Sequence, residues 1–107
     1  MKLLIRSEAD AEIAELAGAP VGGRAGYGQR FLDALAKTYE SIQAFPASFP
    51  RWEFGGGRRH LRRAVLRKLK IVVAFEVRET ADEVEIFAVF QARRNPRYWM
   101  KRLRSAE

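Results

Sequence analysis

Lys70-Ile71-Val72-Val73-Ala74-Phe75-Glu76-Val77-Arg78 is the stretch on which the fold turns. It is rich in β-branched side chains, which pack well on a pleated surface, and it predicts a strand. Glu79-Thr80-Ala81-Asp82 reads as a turn. Val84 to Gln91 predicts the next strand. Strict alternation there puts Val84, Ile86, Ala88 and Phe90 on one side and Phe87 and Val89 on the other. Apolar residues on both sides suit an inner strand. Asn95-Pro96 ends it, and residues 97–103 could form a short terminal helix.

Upstream, residues 58–66 predict another strand, preceded by a loop over 46–57 that holds Pro46, Pro50 and Gly55-Gly56-Gly57. Before the loop, Phe31, Leu35, Tyr39 and Ile42 recur every three or four residues, as on one face of a helix. That helix starts between Arg24 and Gln29 and is stopped by Pro46, since the residue before a proline avoids helical geometry. Ser7 offers a cap to an earlier helix over 8–17, with Glu8 and Asp10 in its first turn and Ala9, Ile13, Leu16 and Ala17 on its apolar side. Lys2 to Arg6 predicts a first strand. The order is β-α-α-β-β-β, and three consecutive strands with short turns pair antiparallel. The expectation is one α+β domain over 1–107, a helical hairpin packed on a small twisted antiparallel sheet. The sheet face away from the helices is expected to be free and ringed by arginines.

Composition narrows the function. The chain has 107 residues, 48% of them apolar, and no cysteine, so a disulfide framework, a thiolate metal site and a cysteine nucleophile are excluded. His60 is the single histidine, which excludes histidine-pair metal sites. The longest apolar run, Ile71 to Phe75, is far short of the ~20 residues of a membrane span. Met1-Lys2 leads into only three apolar residues before Arg6, which predicts no secretion signal and a cytoplasmic protein. Neither Gly26-Tyr27-Gly28 nor Gly55-Gly56-Gly57 has the context of a nucleotide-binding loop. No metal and no cofactor are expected.

Charge is the informative feature. The formal net charge is +7. Residues 1–54 carry a net −1 and residues 55–107 a net +8. Arg58, Arg59, Arg62, Arg63, Arg67, Lys68 and Lys70 form one run without an acid; Arg93, Arg94, Arg97, Lys101, Arg102 and Arg104 form another. Such runs fit a solvated face, or a surface for phosphate or an acidic protein. In the strand over 58–66, Arg59, Leu61, Arg63 and Val65 share one side, and Arg58, His60, Arg62, Ala64 and Leu66 the other. At least one arginine must therefore approach the core side, where it needs an acid (Glu76 or Glu85), a carbonyl or a ligand phosphate. Arg93 and Arg94 stand beside Tyr98 and Trp99. Arginine planes and aromatic rings both stack on bases, though Trp99 suits a lid on the core better than a base platform.

The run Leu61 to Val77 and the ending Ala88-Val89-Phe90-Gln91-Ala92-Arg93-Arg94-Asn95-Pro96-Arg97-Tyr98-Trp99 together resemble the RelE/ParE toxin superfamily. The resemblance implies a toxin of a type II toxin–antitoxin, or plasmid-stabilisation, system, neutralised by an antitoxin whose acidic C-terminal segment folds around it. Two branches follow. A ParE-like toxin inhibits DNA gyrase through a protein contact; the Pro96-x-x-Trp99 ending looks closer to this branch. A RelE-like toxin is a metal-independent endoribonuclease that cleaves mRNA on the ribosome, with Arg62, Arg63, Arg94 and Tyr98 as its catalytic candidates. Gln91 stands near where many ribonuclease relatives carry a histidine, and glutamine cannot exchange a proton near neutrality. On either branch Arg58, Arg59, His60, Arg67, Arg93, Arg97, Trp99 and Arg102 are binding candidates. A non-toxic basic RNA-binding module is the third reading. All of these readings require Arg62, Arg63 and Arg94 to share one face.

Overall fold

The computed structural model describes residues 1–18, 26–52, 61–94 and 102. Strand β1 is Lys2–Ile5, helix α1 Ser7–Gly18, helix α2 Tyr27–Ala44, β2 Leu61–Leu66, β3 Ile71–Arg78 and β4 Glu83–Gln91. The expected β-α-α-β-β-β order and α+β class hold. Spatial order in the sheet is β1-β4-β3-β2. The last three strands form the antiparallel meander, and β1 joins β4 in parallel, so the sheet is mixed rather than wholly antiparallel. Parallel pairing follows from the connection: the helical hairpin carries the chain over one face before it re-enters the sheet.

The helices cover that face. Ala9 and Ile13 of α1 and Phe31, Leu35 and Ile42 of α2 are buried against Ala64, Leu66, Ile71, Val73, Phe75, Val84, Ile86 and Val89. Each large side chain so buried stabilises by about 1.5–3 kcal/mol. Helix α1 starts at Ser7, with the Arg6 carbonyl accepting the first helical bond from Asp10 N–H at 2.9 Å. The Ser7 hydroxyl donates to Glu8 Oε1 at 3.0 Å instead of capping. Gly28 explains how the helices close together: a Cβ at this position would collide with the carbonyl oxygen of Ala17. Tyr39 completes the α2 stripe, but its hydroxyl is buried with no hydrogen-bond partner among the described residues. Burial, and then the Asp10 carboxylate, push its pKa up.

The opposite face is not free. Leu61, Val72, Ala74, Phe87, Ala88 and Phe90 are at most 8% exposed and form a second core, against which Trp52 packs. The ring of Trp52 lies 5.8 Å from that of Phe90 and 6.4 Å from that of Phe87. A bulge in β4 builds this core. Ala74 pairs with Ala88 and Phe75 with Ile86, so Phe87 is the extra residue by which the β4 register shifts. The extra residue inverts the alternation beyond it. Val89 therefore joins Val84 and Ile86 under the helices, while Ala88 and Phe90 join Phe87 on the second face. This corrects the strict alternation expected for this strand.

The bulge also frees backbone groups that β1 is too short to reach. Val89 N–H donates to Glu12 Oε1 at 3.1 Å, and the Phe87 carbonyl accepts from Arg102 Nη1 at 3.0 Å. Glu12 and Arg102 pair with each other at 3.0 and 3.4 Å. Their side chains are only 11% and 9% exposed. The Arg102 and Arg6 guanidiniums both lie over the Phe87 ring, at 5.7 and 5.4 Å.

Candidate functional site: a cationic cleft at one end of the sheet

A cleft of about 980 Å³ opens where α2 begins, between that helix and the end of the sheet. Three segments build it. Tyr27, Arg30 and Ala34 come from α2; Val65, Arg67, Lys68, Leu69 and Lys70 from the end of β2 and the turn into β3; Gln91, Ala92 and Arg93 from the end of β4. The register explains the meeting of the last two, because Ile71 pairs with Gln91 and Ala92 N–H donates to the Lys70 carbonyl at 2.8 Å.

Among the described residues, five cations line this cleft and no acid does. None of Arg30, Arg67, Lys68, Lys70 and Arg93 makes an ion pair with a described residue. Helix α2 adds to the positive potential. It opens at Gly26, whose φ of 82° is left-handed, with no side-chain cap and no acid in its first turn. The positive end of its dipole thus stands uncompensated beside Arg30. Between the cations the surface is apolar: Tyr27, Ala34 and Leu69 pack on the helix-side core and Val65 is 47% exposed. Lys70 adopts a φ of 56°, a left-handed conformation that suits glycine or asparagine. The chain holds a charged side chain in a backbone position where it is strained, at the mouth of the cleft.

The sequence-derived candidates separate. Arg67 and Arg93 line the cleft. Arg62 and Arg63 do not share a face, which overturns the expectation that Arg62, Arg63 and Arg94 form one cationic surface; the cations that gather are instead those of the cleft. Arg62 lies on the helix side with Ala64 and Leu66, where Nη1 donates to the Phe49 carbonyl at 2.7 Å. Arg63 points the other way, with Leu61, and is exposed. The carbonyl, not Glu76 or Glu85, answers the core-side arginine. Those two acids bind Arg78, each at 3.0 Å. Arg94 is exposed just past the cleft, its N–H donating to the Gln91 carbonyl at 2.9 Å. Arg102 is corrected from a binding candidate to the internal pair with Glu12. Arg58, Arg59, His60, Arg97, Tyr98 and Trp99, and residues 97–101 and 103 of the expected terminal helix, lie outside the described residues; Arg102 itself is helical. Sequence reasoning placed Lys68 and Lys70 in the first basic run without choosing them as site residues, and did not select Tyr27 and Arg30 at all. Arg30 had one legible signal, a cation in the first turn of a helix without acids there.

No protein-family model matches the sequence, and no curated protein matches it significantly. Among solved structures, the isolated E. coli RelE toxin in its P21 crystal form is similar, with a TM-score of 0.62 at 18% identity over 97% of each chain. The chain therefore has a RelE-like α+β fold.

Proposed function

We propose that the chain is the toxin of a type II toxin–antitoxin pair, of the ParE-like kind, which inhibits DNA gyrase through a protein contact in the cytoplasm and is neutralised by an acidic antitoxin. The fold similarity to a toxin and the sequence ending support the class. The observation that carries the reading is the cleft, where the described residues bring five cations, an apolar floor and no acid. Such a surface attracts an acidic protein partner. No helix among the described residues is long and apolar enough to cross a membrane.

The ribonuclease reading needs cationic stabilisation of a phosphorane together with a proton donor and acceptor. Two of its candidates, Arg62 and Arg63, lie on opposite faces, and Gln91 in the cleft exchanges no proton. Its support is the clustering of Lys70, Arg93 and the Arg94 backbone at the end of β4, where cations could hold a phosphodiester.

Induced expression with two separate readouts tests the proposal. DNA breaks and arrested replication, with translation intact, are expected. Arrested translation with cleaved transcripts would move the assignment to the ribonuclease branch. Unimpaired growth would leave the non-toxic RNA-binding module.

A further inference from the structure

Three arginines and two lysines, Arg30, Arg67, Lys68, Lys70 and Arg93, share one cleft of about 980 Å³. They come from three segments, so the fold, and not one run of charge, gathers them. Two backbone hydrogen bonds hold the segments in place. Leu69 N–H donates to the Leu66 carbonyl at 3.2 Å, closing the turn that carries Arg67 and Lys68. Ala92 N–H donates to the Lys70 carbonyl at 2.8 Å, which sets Arg93 beside that turn. Elsewhere Arg6 is answered by Glu8, Arg78 by Glu76 and Glu85, and Arg102 by Glu12. Like charges held together repel, yet Lys70 keeps its side chain here at a φ of 56°, where a glycine would be unstrained.

The lining dictates the chemistry of what would fill it. Five positive charges in one cavity ask for several negative charges on neighbouring atoms. Guanidinium forks and ammonium groups suit phosphate oxygens, which accept charge-assisted hydrogen bonds from them. A nucleic-acid strand brings one charge per nucleotide, whereas a triphosphate brings about four on three linked phosphorus atoms near neutrality. The rest of the lining is apolar. Tyr27, Ala34, Val65 and Leu69 form a floor that an inorganic anion would leave bare and that a planar base would cover. Tyr27 and Arg30 stand three residues apart on α2, so ring and guanidinium share a helix face. The volume lies within the range of small-molecule sites.

We propose that this cleft binds a nucleoside triphosphate, with its phosphates on the five cations and its base against Tyr27 and Leu69. Such a site needs no glycine-rich loop, because side-chain charge replaces the backbone N–H groups that cradle phosphates in those loops. The binding stands on the cleft alone. One consequence rests on the function proposed above: a protein partner drawn to the same cations and the nucleotide would exclude each other. Partner binding would then weaken as the nucleotide concentration rises.

The test is a calorimetric titration of the full chain in ~0.15 M salt with ATP, ADP, AMP and inorganic triphosphate, and amide NMR shifts to place the ligand. One ATP per chain is expected, with the amides of Tyr27, Leu69, Lys70 and Ala92 shifting and those of Arg78 and Glu83 unmoved. Affinity should fall roughly tenfold with each phosphate removed, and roughly tenfold from ATP to inorganic triphosphate. The double variant Arg67→Glu/Lys68→Glu, checked for folding by circular dichroism, should weaken ATP binding by roughly a hundredfold. Lys2→Glu, at the far end of the sheet beside Glu83, should not change it. Equal affinity for ATP and inorganic triphosphate would overturn the assignment to a nucleotide. Several ATP molecules per chain, bound alike by the double variant, would overturn the site. Binding of a thymidine oligonucleotide of about ten residues to the same amides, with no response to ATP, would overturn the ligand class. Toxicity without ATP binding would sink only this site, and ATP binding without toxicity would sink only the toxin reading.

Discussion

The two ends of the central hairpin carry charge in opposite ways. At the turn between β3 and β4, Arg78 is surrounded by Glu76 at 3.0 Å, Glu85 at 3.0 Å and Glu83 at 3.8 Å. At the other end of β3, roughly 23 Å away at ~3.3 Å per residue, Arg67, Lys68, Lys70 and Arg93 meet Arg30 with no acid among the described lining residues. One end has answered its charges internally and the other has not. A cation that the fold itself satisfies contributes to holding the fold together. Cations gathered without an answer repel, cost stability, and persist where something outside the chain supplies the opposite charge.

The largest test breaks an internally answered pair. Glu12→Ala leaves Arg102 nearly buried without its acid and Val89 N–H without its acceptor. Stability should fall by about 3–5 kcal/mol, read as a melting temperature lower by more than about 10 °C. At the satisfied hairpin end, Arg78→Ala should cost about 1 kcal/mol, because the Arg78 side chain is 36% exposed and solvent screens its pairs, and should leave partner binding unchanged. Tyr39→Phe sharpens the comparison as a reference in the helical hairpin. It removes an unpartnered hydroxyl, so stability should hold or rise by up to about 1 kcal/mol. The raised Tyr39 pKa also gives a sign. The folded state resists ionising this phenol while the unfolded chain ionises it near ~10. The wild type should therefore lose stability relative to Tyr39→Phe as pH rises above that value, as alkaline denaturation curves would reveal. The smallest effect on stability is expected in the cleft. Lys70→Gly relieves a left-handed backbone, with a net gain of up to about 0.5 kcal/mol in urea melts, yet should weaken binding of an acidic partner. A loss of stability with unchanged binding would show that Lys70 belongs with the satisfied charges.

Much of the fold was legible because its signals were local. The β-branched run from Ile71 and the three-to-four spacing from Phe31 to Ile42 mark elements whose buried faces repeat regularly. The bulge at Phe87 was not legible: no glycine or proline marks it, and the alternation looks intact on both sides of the inserted residue. The same shift hid the second core, since it brings Phe87, Ala88 and Phe90 to one face. The cleft was half legible. Arg67 and Arg93 belong to visible runs of charge, but Arg30 lies in the near-neutral half and reaches them only because α2 starts above the β2–β3 turn. Arg102 misled for the converse reason. A charge run reads as surface, and its answering acid is 90 residues away. The choice between Arg62 and Arg63 was posed correctly by alternation, and a carbonyl contributed by the loop settled it.

That 90-residue separation has a biosynthetic consequence. Strands β1 to β4 and helices α1 and α2 all precede Ala92, yet the bulged edge of β4 lacks its guanidinium in any chain that stops before Arg102. A chain released before Arg102 would be shaped like the finished protein but would melt more easily, giving cellular proteases a ready means of discarding incomplete copies.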